Sequence, residues 1–217
     1  MRLKSLVCAL VLLAVPVSAM AEEDAKTSKK IEDPREVGSW TYGIKGGLTL
    51  GTMTGTWVDA DEDSNSLHQG VSLGGFATWY LSSALAVQPE LYMTEKGIDF
   101  NDDELNTTRD EGLLYVELPV LARYSFPIND MIHAYGAGGL SFGYLIDAKV
   151  NDRDELKKLE VGGVVGLGAD IKLGKHLVIL EFRFNEGFLN TLDLASDENK
   201  DLKARNRLFS FLLGFST

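Results

Sequence analysis

One pattern limits this chain more than any other: strict two-residue alternation, repeated along its length. Leu159–Leu173 reads LEVGGVVGLGADIKL. One parity gives Leu, Val, Gly, Val, Leu, Ala, Ile and Leu; the other gives Glu, Gly, Val, Gly, Gly, Asp and Lys. A strand sends successive side chains to opposite faces, so the segment has an apolar face and a polar, glycine-rich face.

Seven further segments read the same way. They are residues 40–50, 71–81, 85–96, 114–126, 132–146, 176–186 and 207–217. In the first, Trp40, Tyr42, Ile44, Leu48 and Leu50 oppose Thr41, Lys45 and Thr49. In the fourth, Leu114, Val116, Leu118, Val120, Tyr124 and Phe126 oppose Tyr115, Glu117, Arg123 and Ser125. Phe76 and Tyr80 break the rule in the second by sharing the polar parity.

The links alternate in length. Ser82-Ser83, Pro127–Asp130 and Gly174-Lys175 are short; residues 51–70, 97–112, 147–158 and 187–206 are long. Short turns on one rim, long loops on the other and an even strand count describe an outer-membrane barrel. The expected fold is all-β: an eight-stranded antiparallel transmembrane up-and-down β-barrel with short periplasmic turns and longer extracellular loops. No apolar run after the first twenty residues approaches the roughly 18 residues of a membrane helix, so any crossing must be made by strands.

Volume decides which face points inward. An eight-stranded lumen is just wide enough for side chains to fill. The bulky apolar set is too large for it, whereas Gly43, Gly47, Gly74, Gly162, Gly166 and Gly168 on the other face suit a narrow interior. An outward apolar face would be an intolerable patch in water. Lipid accepts it, provided the sheet closes on itself. The interior then holds Lys45, Lys96, Arg123, Lys172 and Arg183 with Glu90, Glu117, Glu160, Asp170 and Glu181. Matched signs predict mutual pairing, because unpaired buried charge is costly. The Gly174-Lys175 turn sets Leu173 opposite His176, hence Gly168 opposite Glu181 and Gly166 opposite Arg183. The expectation is a filled, ion-paired lumen and no wide pore. Trp40, Tyr42, Trp79, Tyr124 and Phe126 are expected to mark the short-turn rim, with Phe142 and Tyr144 approaching the other.

The remaining composition fits export. Arg2 and Lys4, an apolar run from Leu6 to Pro16 and Ala19-Met20-Ala21 read as a signal peptide over residues 1–21. Cys8, the sole cysteine, falls inside it, which leaves no disulfide in the remainder. Residues 22–39 are charged and aperiodic, and are expected to form a flexible periplasmic leader. The barrel takes residues 40–217. The chain has 21 basic and 32 acidic residues, and loss of Arg2 and Lys4 would lower its net charge from −11 to −13. Nucleic acid is therefore not an expected partner, since phosphate binding needs a basic surface.

These segments resemble the PorT-like outer-membrane β-barrel domain family of Gram-negative bacteria. The resemblance rests on YGIKGGLTLG, LAVQPELYMTEKG, YVELPVLARYSF and YGAGGLSFGYL, and covers residues 40 to 217. It implies an eight-stranded barrel in the cell outer membrane, usually without a known activity. Such barrels usually end in an aromatic residue; here Thr217 is last, and Phe215 shares the required parity. Expected partners are outer-membrane lipid and lipopolysaccharide, the barrel-assembly machinery, and other envelope proteins.

Other motifs carry less. Neither GVVGLGAD nor GAGGLSFG completes a dinucleotide fingerprint, because Ile171 and Ser141 occupy the last glycine position. Asp59, Asp61, Asp63 and Asn65 echo a calcium loop, but Ser64 replaces its glycine and Gly70 its bidentate acid. The acidic stretch 97–112 carries Asp99, Asp102, Asp103, Glu104, Asp110 and Glu111 against Arg109, and suits diffuse divalent binding. His68 with Ser66 or Ser72 is the sole local nucleophile–base candidate. No catalytic residue, cofactor site or metal site is expected. Two rival readings are a secreted lipocalin-like barrel with an apolar ligand inside, and a barrel enzyme acting on lipid A or peptides.

Overall fold

The computed structural model describes residues 35–54, 67–102, 107–148, 158–189 and 205–217. Eight strands run in order: β1 Trp40–Thr54, β2 His68–Tyr80, β3 Leu85–Asp102, β4 Thr107–Pro127, β5 Ile132–Ala148, β6 Leu159–Leu173, β7 His176–Gly187 and β8 Arg205–Ser216. Each pairs antiparallel with its neighbours, and β1 closes on β8, giving a complete barrel. Closure leaves no unpaired edge to face hydrocarbon, the condition a spanning sheet must meet.

The apolar parity faces outward. Leu48, Leu73, Leu91, Leu118, Leu140, Val165, Leu167, Leu180 and Leu213 are all exposed. The charged parity is inside: Lys45, Glu90, Lys96, Glu117, Arg123, Asp170, Glu181 and Arg183 are buried. This excludes a lipocalin-like barrel, which would have the reverse arrangement. Trp40, Tyr42, Trp79, Tyr124 and Phe126 are exposed at the short-turn end. Trp40 and Trp79 are ladder partners and stack at 5.6 Å between ring centroids.

The short turns are built locally. Gly174 takes φ 62°, a conformation that disfavours a Cβ, and Leu173 faces His176 as expected. Ser82 Oγ accepts from the Leu85 amide at 2.9 Å, and Asn129 Oδ1 from the Met131 and Ile132 amides at 2.9 and 2.8 Å. Side-chain acceptors of this kind mimic backbone turns. Residues 35–39, at the end of the predicted leader, form a further turn: the Gly38 amide donates to the Tyr80 carbonyl at 2.7 Å, and the Ser39 amide to the Glu36 carbonyl at 3.0 Å.

Two features differ from the sequence reading. The stretch 97–112 is not a loop throughout: β3 and β4 stay paired past Gly97↔Gly112 to Asp102↔Thr107. Alternation reveals only a half-buried strand, and beyond Ile98 and Phe100 this extension is almost wholly polar. The inner face is also bulkier than glycine and ion pairs alone. Phe76, Tyr80, Tyr92, Tyr115 and Tyr135 are buried, with Leu121, Ile179 and Leu212. They fit because glycines stand beside them. A Cβ on Gly43 would lie 2.6 Å from the Phe76 ring, one on Gly74 2.6 Å from Tyr92, and one on Gly168 2.4 Å from Tyr135.

Candidate functional site

Within the lumen, charged side chains gather into three layers. The short-turn layer starts on β4, where Arg123 donates to Asp170 of β6 and to Gln88 of β3, both at 2.7 Å. Thr78 donates to the same Gln88 oxygen at 2.9 Å. That bond spans the place where Pro89, lacking an amide hydrogen, coincides with a gap in the β2–β3 ladder.

The middle layer joins four strands that the chain order separates widely. Lys45 Nζ of β1 contacts Glu90 at 2.8 Å and Glu181 at 2.7 Å. Arg183 holds Glu90 with two nitrogens, at 2.6 and 3.0 Å, and donates its Nε to Glu181 at 2.8 Å. Tyr135 donates its hydroxyl to Glu181 at 2.8 Å. Two cations thus face two carboxylates, and the bidentate guanidinium fixes their geometry.

In the long-loop layer Lys96 lies 2.8 Å from Glu117 and 2.6 Å from Glu160. Asn206 donates to the other Glu160 oxygen at 2.6 Å. Gly143 makes room for this layer: a Cβ there would stand 3.3 Å from Glu160 and 3.4 Å from Tyr115. Each of the four cations in these layers also lies over a ring: Lys45 on Phe76, Lys96 on Tyr115, Arg123 on Tyr135 and Arg183 on Tyr92. A cation over an aromatic face is stabilised by the ring's quadrupole, more strongly where water is absent. Between the middle and long-loop layers, Tyr92, Glu117, Arg183 and Asn185 border a cavity of about 10 Å³, room for a single water at most.

Nine of the ten charges placed inside by sequence therefore join these layers, while Lys172 is half-buried near the short-turn rim. Gly168 stands opposite Glu181 and Gly166 opposite Arg183, as the turn register required. The space beside Gly168 receives Tyr135, though; Gly166 is the one that Glu181 approaches. Sequence reasoning did not single out Tyr92, Tyr135 or Asn206. Parity placed the two tyrosines inward, but nothing local says which charge each meets.

Of the two nucleophile–base pairings, His68–Ser72 does not assemble. His68 and Ser72 share the inner face but sit four residues apart, about 13 Å along a strand, and Ser72 is bonded to Thr94 at 3.0 Å. Ser66 and the acidic run Asp59–Asn65 lie outside the described residues, as do the side chains of residues 98–112. Among the described residues, no three His, Cys, Asp or Glu converge as a metal site.

A closed eight-stranded sheet with hydrocarbon-facing Leu and Phe, an aromatic rim and charges inside is the architecture of an integral outer-membrane β-barrel. The chain belongs to the outer membrane protein beta-barrel domain family, whose match covers residues 24–193, and its location is the outer membrane. Its fold is similar to that of OprG from Pseudomonas aeruginosa, at 13% identity and TM-score 0.50, covering 85% of this chain and 99% of that one. It is similar also to Neisserial surface protein A, at 12% identity and TM-score 0.52, covering 81% and 96%. At these identities the likeness speaks to fold alone. No curated protein sequence matches the chain.

Proposed function

We propose that this barrel has a structural, adhesion or assembly-support role in the outer membrane, that its lumen is a filled ionic strut rather than a passage, and that it catalyses no reaction. Within the family, the motifs at residues 40–146 favour the PorT-like branch. The observation that carries the reading is the middle layer. Lys45, Glu90, Glu181 and Arg183 cross the axis from three sides, are almost fully buried, and satisfy one another. A solute would have to break several charge-assisted bonds at once, each worth roughly 1.5–3 kcal/mol.

The partners of such a strut lie outside it. Lipid and lipopolysaccharide would meet the apolar belt, the assembly machinery would meet the chain during insertion, and other envelope proteins would meet its rims. Planar-bilayer recording of the full chain tests the lumen: the expected trace stays at the conductance of protein-free lipid. A steady open channel would sink the reading. For catalysis, lipid A and envelope peptide profiles should be the same with His68→Ala as with the parent sequence.

A further inference from the structure

The three lumen layers do not balance equally. In the short-turn layer Arg123 answers Asp170. In the middle layer Lys45 and Arg183 answer Glu90 and Glu181. In the long-loop layer Lys96 alone faces two carboxylates, Glu117 and Glu160. Asn206 hydrogen-bonds Glu160 but brings no charge. Lys172, the remaining basic side chain of this parity, lies near the opposite rim. Among the described residues, the long-loop layer therefore keeps one negative charge. Lys96 and Glu117 are buried, and the Glu160 side chain is only 12% exposed. A surplus charge at that depth is costly, so the layer calls for one more cation.

Glu117 also borders the cavity of about 10 Å³ between this layer and the middle one. Tyr92 and Asn185 line that cavity and are 2% and 9% exposed. Among the described residues, neither Tyr92 Oη nor Asn185 Oδ1 has a hydrogen-bond partner. Ser72, Thr94 and Ser210 add three buried hydroxyls to the lining. Ser72 and Thr94 share one hydrogen bond at 3.0 Å, which leaves acceptor lone pairs available on both. These six residues come from β2, β3, β4, β7 and β8, so their oxygens converge from several directions. Arg183 borders the cavity too, but all three of its nitrogens are already spent on Glu90 and Glu181.

We propose that this cavity binds one small monovalent cation, such as sodium, through Glu117, Asn185 Oδ1, Tyr92 Oη and the neighbouring hydroxyls. Hard cations take oxygen ligands. A single positive charge closes the count of the long-loop layer without leaving an excess of the other sign. A divalent ion would overshoot, and its sites are commonly built from several carboxylates. The space holds one water-sized body, so the ion enters stripped of its shell and the protein oxygens replace it. Bound there, the ion ties the long-loop layer to the middle one. The site goes beyond the closed-strut reading, because the lumen stays filled whether a cation or a water occupies this cavity.

The probe is sodium chloride exchanged for choline chloride at constant ionic strength, with the full chain folding into phosphatidylcholine vesicles under urea titration. Choline is too large for the cavity and serves as the control. Above half-saturation, each tenfold rise in sodium should increase the folding equilibrium constant by up to about tenfold, the linkage expected of one ion bound only to the folded state. Glu117→Gln removes the surplus charge while leaving Lys96 on Glu160, and should abolish the sodium dependence. Tyr92→Phe removes one oxygen and keeps its ring against Arg183. It should shift the dependence to higher sodium, and it carries the test alone if Glu117→Gln does not insert. Stability of the parent chain that is the same in sodium and in choline would mean that the cavity takes water only, and would overturn the site. A sodium dependence left untouched by the variants would place the ion elsewhere and overturn it equally. Neither result alters the conductance trace that tests the closed lumen.

Discussion

The middle ionic layer gives the sharpest quantitative test. Lys45→Met removes one cation from a four-membered group while keeping a side chain of similar length to pack on Phe76. Lys45 Nζ sits 2.7 and 2.8 Å from its two carboxylates. At an effective dielectric near 20, each contact is worth about 6 kcal/mol of attraction. Most of that offsets the desolvation of the ions. What the variant loses is the balance: Glu90 and Glu181 must then share Arg183, with one negative charge uncompensated. Breaking a buried pair in this way costs roughly 3–5 kcal/mol.

The double variant Lys45→Met/Glu181→Gln restores neutrality, because Arg183 keeps its two-nitrogen grip on Glu90. It should recover at least about 2 kcal/mol relative to the single variant, a non-additivity typical of groups in one network. Urea titration of folding into lipid vesicles measures both, followed by tryptophan fluorescence and by the gel mobility of unboiled protein. A single-variant loss below about 1 kcal/mol, or a double variant that equals the sum of its parts, would refute the reasoning.

Further outcomes follow from the walls of the barrel. Val165→Arg puts a charge on the exposed face of β6; near the bilayer midplane it should destabilise the inserted protein by roughly 2–4 kcal/mol in the same titration. Gly47→Ala should impair the β1–β8 seam, since its Cβ would lie 1.8 Å from the Phe211 carbonyl oxygen, whereas Gly138→Ala meets nothing nearer than 3.7 Å. Overpacking of the first kind costs about 1–3 kcal/mol or more, and equal stability for the two variants would contradict the register. Trp40→Ala should cost about 0.5–1.5 kcal/mol beyond the lost area through its stack on Trp79, read by unfolding midpoint and by the fluorescence of the remaining tryptophans.

Much of this was legible in the chain. Alternation is a local property, and side-chain parity along a strand is fixed once the strand exists. It assigned Leu48, Val165 and Leu213 to lipid, and Lys45, Glu90, Glu117, Arg123, Asp170, Glu181 and Arg183 to the interior. A two-residue turn fixes register for the strands it joins, so Gly174-Lys175 was enough to set Gly168 against Glu181 and Gly166 against Arg183.

The choice of partners was not local. Lys45 and Glu181 are 136 residues apart, and they meet because β1 closes on β8 with a particular stagger. That stagger is a property of the whole ring of strands, not of any one. The same holds where β3 crosses β1 and β2 near the long-loop end. Gly51, Gly70 and Gly97 look like ordinary strand or loop glycines, and only the inward turn of β3 above Thr94 shows that they let backbones touch. Alternation thus determined which side chains face oil and which face the axis; closure of the sheet decided which of the inward groups could reach one another.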